Sequence, residues 1–268
     1  MRLVPRHFKL FLCSCVVLRS VIFMPRSRPL LEITGTHRTI QITDDDSRTL
    51  IDPNTGIAFH SASGALAETR HVYLHNSGVE EKLARGRAVS VLEIGLGTGM
   101  GMLLTVDDAV SGDAKLDYHA LEMDLLPVEV LRELHLQAGL RCPAICEMYL
   151  EWYENVGVTT ACGSYQWEFN GSTSVTIHHK DARDFSFSDA VAFDAIYFDP
   201  FAPAVDEDLW TVEFLSRMRD LLRSGGHLVT YCVNRRVKDS LIACGFKIEC
   251  LRGPVGGKRQ VMRATRSD

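Results

Sequence analysis

The eight cysteines include no pair in C-x-x-C spacing. Cys142 and Cys146 stand four apart with no further His or Cys close by in sequence, which argues against the usual zinc arrangements. No metal is therefore expected. Free thiols belong to a reducing compartment, so the expected location is the cytoplasm. There is also no internal repeat and no low-complexity linker, which excludes solenoids and tethered modules.

Acidic residues are missing from the first thirty positions, where Arg2, Arg6, Lys9, Arg19, Arg26 and Arg28 surround the apolar run "FKLFLCSCVVL". That run is too short for a transmembrane helix, and no membrane association is expected. Residues 1–30 read as a disordered tail, a targeting segment or a mis-assigned start, with Met24 as the alternative first residue. Net excess of positive charge is lacking as well. The chain carries 29 basic and 34 acidic residues for a net charge of −5. This balance does not suggest general nucleic-acid binding. The exception is local. From residue 235 onward, Arg235, Arg236, Lys238, Lys247, Arg252, Lys258, Arg259, Arg263 and Arg266 face only Asp239, Glu249 and Asp268.

With 268 residues, 46% hydrophobic and 24% charged, the chain can build a large α/β core. Residues 31–80 read as a small β-rich extension with one helix. "DDDS" and "DPNTG" mark turns between β-prone runs, and Ser61 or Ser63 is expected to cap a helix running to Gly78. Residues 81–268 then alternate strand and helix. "AVSVLEIG", "KLDYHALEMD", "STSVTIHH", "FDAIYF" and "HLVTYC" are the expected parallel strands. Thr98–Val110, "LLPVEVLRELHLQAGL", "DEDLWTVEFLSRMRDLLRSGG" and "RRVKDSLIACGF" are the expected helices. A helix near Ala144–Asn155 and then a loop are expected across 143–170. "KIECLRGPVGGKRQVMRAT" reads as a terminal antiparallel hairpin. The fold class that follows is α/β: a Rossmann-like sheet, mostly parallel, with helices on both faces and ligands at the carboxyl ends of its strands.

The dinucleotide fingerprint G-x-G-x-x-G is absent, because its third glycine would fall at Met100. What is present is E-x-G-x-G-x-G, Glu93 with Gly95, Gly97 and Gly99. It resembles the first motif of S-adenosyl-L-methionine-dependent class I methyltransferases, as the terminal hairpin also does. Missing Cβ atoms let backbone approach the cofactor closely, and Glu93 can accept from its ammonium. Glu122, at the end of the next strand, can accept from ribose hydroxyls. Asp181, after the third strand, can accept from the adenine amine. Taken singly, each acid is as easily a loop or cap residue; in order at successive strand ends they reinforce one another.

"YFDPFAP" follows the fourth strand. Asp199-Pro200-Phe201 resembles the [D/N]-P-P-[Y/F] motif of amino-group methyltransferases. A carboxylate and a proline-directed carbonyl can orient an amine, and an aromatic face can support developing positive charge. "FHSASGALAETRHVYL", "VLEIGLGTGMG", "YFDPFAP", "LLRSGGHLVTYC" and "GPVGGKRQVMRA" together resemble the methyltransferase domain of the MnmC family. The resemblance implies N-methylation of the aminomethyl group of 5-aminomethyl-(2-thio)uridine at the tRNA wobble position. It implies Asp199 on the amine, Phe201 beside the base, and a separate enzyme supplying the aminomethyl precursor. Arg235, Arg236, Lys258 and Arg259 are the expected tRNA contacts. The family commonly carries Asn where this chain has Gly101. The rival readings are a small-molecule amine methyltransferase or aminopropyltransferase-like enzyme, which an acidic body would suit, and a non-catalytic cofactor-binding module.

Overall fold

The computed structural model describes residues 28–33, 36–157, 161–187 and 191–267. The start-site expectation for Met24, together with Cys13 and Cys15, lies outside the described residues. The extension forms a three-stranded antiparallel meander, β1 (Leu30–Glu32), β2 (Thr39–Ile42) and β3 (Arg48–Ile51). Helix α1 (Ala65–Thr69) follows and passes into a π-helical turn, Arg70–His75, marked by the Asn76 N–H donating to the His71 carbonyl. Helix α2 (Val79–Ala84) completes this part. Neither Ser61 nor Ser63 caps α1, which has Gly64 at its N-cap. The first amides are satisfied from the β2–β3 turn instead. Ser47 Oγ accepts from Ala65 and Leu66 N–H, and Asp45 accepts from Ala67 N–H. The local cap was outcompeted by a tertiary one, which ties the meander to the helix.

The main sheet begins with β4 (Val89–Ile94), α3 (Met100–Ser111) and β5 (Leu116–Glu122). Every residue of β4 is buried, as a strand covered on both faces requires. The expected helix after β5 is interrupted. Helix α4 (Val128–Glu133) ends before His135, whose φ of 50° is left-handed, and a 3₁₀ turn covers Leu136–Gly139. Helix α5 (Ala144–Val156) is where the sequence placed it, but a strand, β6 (Gly163–Asn170), occupies the expected loop. Trp167 packs against Tyr149 and Trp152 of α5. This burial fixes β6 antiparallel beside β7 (Thr173–His179). Strand β8 (Phe193–Phe198) leads to a 3₁₀ turn at Glu207–Trp210 and then α6 (Val212–Leu221), begun by Thr211 Oγ1 accepting from Phe214 N–H. The expected single helix is thus two pieces. "RSGG" belongs to β9 (Leu222–Thr230), where the pairing with β8 shifts register. Helix α7 (Arg235–Ala243), β10 (Phe246–Arg252) and β11 (Gln260–Arg266) close the chain's described part.

The strand order is β10-β11-β9-β8-β4-β5-β7-β6. The five inner strands β9, β8, β4, β5 and β7 run parallel, and both edges are antiparallel. Alternating side chains feed two cores. Val91, Tyr118, Ile177 and Tyr197 point to the side of α3, α5 and the extension. Leu92, Phe193, Ile196 and Phe198 point to the side of α6 and α7. Fully burying such a side chain contributes about 1.5–3 kcal/mol, so the sheet is held from both faces. Sheet register sets Glu93 beside Tyr197 and Ala120, two residues short of Asp199 and Glu122 in their own strands. The carboxyl ends of β4, β5 and β8 therefore finish at one level.

Candidate active site

Those strand ends open into a cavity of about 540 Å³. Glu93, Gly95, Gly97, Glu122, Asp181, Asp199, Pro200, Phe201 and Lys258 line it, so one space gathers most of the sequence-derived site. Gly99 does not line the cavity but caps α3 from behind the turn, with φ 76°. Arg235, Arg236 and Arg259 lie outside it, exposed on the surface.

The glycine turn is pressed against the acceptor motif. A Cβ on Gly95 would lie 2.8 Å from the Asp199 carbonyl oxygen, and its φ of +87° favours glycine. The two halves of the site thus share a backbone contact. Gly101 has a comparable role. A Cβ there would lie 2.6 Å from Glu93 Oε1. Glycine at this place lets the Glu93 carboxylate lie flush against α3.

Glu93 is buried, and its Oε2 has no hydrogen-bond partner among the described residues; neither has the cavity-lining Thr98 Oγ1. Burial pushes the Glu93 carboxyl well above the usual range; the Tyr118 hydroxyl pulls against this, and the charges of Asp199 and Glu122 add to the rise. A buried acid in this condition calls for a cationic donor. The ammonium of S-adenosyl-L-methionine is one, and the glycine turn leaves room beside it. The residues present fit this cofactor.

Glu122 accepts three backbone N–H groups, from Gly97 at 3.0 Å and from Met123 and Asp124 at 2.9 Å each. Burial raises its pKa, and these bonds partly offset the rise. Its carboxylate braces the glycine turn while facing the cavity. Asp181 is held by Arg183, whose backbone N–H and guanidinium both donate to it, and this holds its carboxyl below the usual range. Any contact from Asp181 to an adenine amine would share a carboxylate already paired.

Around Asp199 the structure adds residues that sequence reading missed. Phe59 of the extension meets Phe201 edge to face, with ring centroids 5.6 Å apart. Trp210 Nε1 donates to the Phe201 carbonyl at 2.9 Å. Tyr231 Oη donates to the Pro200 carbonyl at 2.9 Å, so one lone pair of that oxygen is already used. Lys258 Nζ lies 3.8 Å from the centre of the Tyr231 ring, a cation–π contact that holds the lysine over the acceptor motif. Burial pushes the Asp199 carboxyl up to about 8. A hydrogen bond from the Tyr73 hydroxyl pulls against this, the charge of Glu68 pushes the same way as burial, and Lys258 opposes it.

The chain has known relatives. Residues 146–267 match a family described as S-adenosyl-L-methionine-dependent methyltransferase. Over 219 residues the chain is 29% identical to the tRNA 5-methylaminomethyl-2-thiouridine biosynthesis bifunctional protein MnmC of Aromatoleum aromaticum, covering 80% of this chain and 33% of that protein. The MnmC protein of an Azoarcus species is 28% identical over 213 residues, covering 78% and 32%. The solved structure of MNMC2 from Aquifex aeolicus has the same fold, with a TM-score of 0.66 at 24% identity, over 90% of this chain and 72% of that one. The chain is similar in sequence to MnmC proteins and has the class I methyltransferase fold.

The chain spans about a third of the length of the MnmC proteins it matches. The matched family is described as dependent on S-adenosyl-L-methionine. Among the described residues there is no cluster of three or more His, Cys, Asp or Glu side chains able to hold a metal, and no helix is long and apolar enough to cross a membrane. The basic C-terminal face is partly consumed within the chain itself. Arg263 pairs with Glu249 at 2.8 Å, and Arg266 donates to the carbonyls of Arg219 and Asp220. Arg236 and Arg259 remain exposed, and Arg235 reaches only Asp239, at 3.8 Å.

Proposed function

We propose that this methyltransferase methylates the aminomethyl group of 5-aminomethyl-(2-thio)uridine at the wobble position of tRNA. The observation that carries the reading is Asp199-Pro200-Phe201 facing the same cavity as the glycine turn, in backbone contact with Gly95. The names of the MnmC relatives supply the tRNA context. S-adenosyl-L-methionine supplies an electrophilic methyl group when bound. Glu93 would hold its ammonium, Glu122 and Asp181 would hold its nucleoside part, and Gly95 and Gly97 would line the turn against it, with Gly99 capping α3 behind.

On the acceptor side, Asp199 receives the amine. An alkylamine is mostly protonated near neutral pH and has no lone pair to offer in that state. The Asp199 carboxylate, with a pKa near 8, is basic enough to take that proton and remain hydrogen-bonded to the neutral nitrogen. The second lone pair of the Pro200 carbonyl can accept another N–H. Phe201 and Phe59 supply apolar walls for the pyrimidine. We infer that a separate enzyme makes the aminomethyl precursor, and that the work is done in the cytoplasm. Residues 31–80 then act as an extension that completes the 81–268 methyltransferase domain.

Incubation with methyl-labelled cofactor and tRNA bearing aminomethyluridine should place label in the wobble nucleoside, read by nucleoside chromatography. Label absent from that nucleoside while free amines are methylated would move the substrate to small molecules.

The tRNA body is assigned to Arg235, Arg236, Arg259 and Lys258. Removing one phosphate-binding side chain should flatten the dependence of log affinity on log salt by roughly one unit. An Arg235→Ala, Arg236→Ala, Arg259→Ala variant should bind tRNA more weakly with a shallower slope and hold the cofactor normally. An unchanged slope would place the RNA surface elsewhere.

A further inference from the structure

The acceptor half of the cavity contains a second acid. Glu68, on α1, lines the cavity and is only 6% exposed. One oxygen, Oε2, accepts the Ser61 N–H, which fixes the carboxylate in place. Among the described residues it has no ion-pair partner and no further hydrogen bond. Its other oxygen is left to accept from a ligand in the cavity. We propose that Glu68 is the ammonium-recognition residue of the acceptor pocket, so that the substrate amine enters as a cation held between Glu68 and Asp199.

This rests on the amine reading above and divides the labour of the two acids. Glu68 attracts and holds the positive charge, and Asp199 takes the proton. The other charged or titratable groups around this half of the cavity are His60, Asp206, Tyr73 from the π-turn, Tyr231 after β9, Lys258 from the β10–β11 loop and Glu93 from β4; burial lowers the His60 pKa to about 4 and keeps it neutral. Lys258 is the only cation on the acceptor side among them, and it is drawn onto the Tyr231 ring. Two acids stand against one displaced lysine, and a cation entering between them favours ionisation of Asp199, which burial otherwise keeps protonated up to about pH 8. The ligand class is therefore a primary alkylammonium, whose three N–H bonds can be shared by the two acids. A neutral hydroxyl or an apolar group offers nothing to the second acid.

The test uses a ligand independent of tRNA. Sinefungin carries an ammonium where S-adenosyl-L-methionine carries its methyl sulfonium, so that its charge is directed at the acceptor pocket. S-adenosylhomocysteine lacks that group. By calorimetry, the wild-type protein should prefer sinefungin over S-adenosylhomocysteine by about tenfold or more, the scale of a charged hydrogen bond. Glu68→Gln keeps an oxygen for the Ser61 N–H, and it should lose most of that preference while binding S-adenosylhomocysteine as before. If the Gln variant fails to bind S-adenosylhomocysteine, Glu68→Ala is measured by the same ratio. A wild-type protein without the preference, or a folded Glu68 variant that retains it, overturns the proposal. Failure to label tRNA would count against the substrate reading and would leave this ratio intact.

Discussion

Asp199→Ala is expected to cut turnover on aminomethyluridine tRNA about a hundredfold or more, the scale set by proton acceptance and positioning together. Its affinity for S-adenosyl-L-methionine should stay near wild type, since the side chain faces the acceptor half of the cavity. Asp199→Asn should retain more activity than Ala, because its amide oxygen still accepts one N–H. Turnover equal to wild type in the Ala variant would remove Asp199 from the acceptor site. Loss of cofactor binding in both variants would move it to the cofactor half. The same residue sets a pH dependence. Its carboxyl titrates near 8 in the folded protein, against an ordinary value of 3.8. The proton acceptor is the ionised form, so wild-type kcat/KM should rise as pH approaches 8. Stability runs the other way. The fold favours the protonated acid, so this contribution is fully present below about pH 4 and lost as pH rises through 8. The Asn variant carries no charge to lose. Its melting temperature should therefore exceed that of wild type by a margin that widens from pH 4 to 8, as scanning calorimetry would show. A constant margin would mean that Asp199 is not buried as a charge.

Gly97→Asp is expected to abolish measurable S-adenosyl-L-methionine binding without unfolding the protein. The nearest atom to a Cβ at this position is Phe59 Cδ2 at 3.4 Å, ordinary contact, and its φ of +52° lies where Asp is tolerated better than most residues. The backbone therefore survives. The added carboxylate would stand in the cavity, beside Glu122, which already accepts the Gly97 N–H. It would fill cofactor volume and repel the cofactor's own carboxylate. Calorimetry on a variant with a near-native melt is the check, and unchanged affinity would take this turn out of the site.

The sequence made the parallel strands legible because each is a short apolar run bounded by turn residues. It made the glycine turn and Asp199-Pro200-Phe201 legible because their residues are neighbours in the chain. The terminal hairpin was also readable, from its Gly/Pro turn between two β-prone runs. What was not legible comes from distance. Glu68 sits in α1 and Tyr73 in the π-helical turn that follows it, and both reach the cavity with Asp199, far along the chain. No local feature announces that turn. Strand β6 was missed although its signal was present: Tyr165, Trp167 and Phe169 alternate with polar residues. Their partner, the aromatic face of α5, lies elsewhere in the chain. The breaks at His135 and Thr211 likewise follow from packing rather than from a Gly or Pro. Of the expected basic patch, Arg263 and Arg266 turned inward to partners on other strands and loops.

The β10–β11 loop closes over the extension. His71 Nε2 donates to the Arg252 carbonyl at 2.7 Å, and a Cβ on Gly256 would lie 3.8 Å from Ser63. During synthesis this clasp fixes an order of events. The glycine turn and the first two parallel strands leave the ribosome early and can pair at once. The acceptor pocket cannot form until the chain has been made through Lys258, because its walls come from residues about two hundred positions apart. A nascent chain therefore has its cofactor cradle before it has a place for an amine, and long-range closure of this kind is the slow step of folding. A chain stalled between β9 and the hairpin would be an incomplete methyltransferase, with its buried acids open to water.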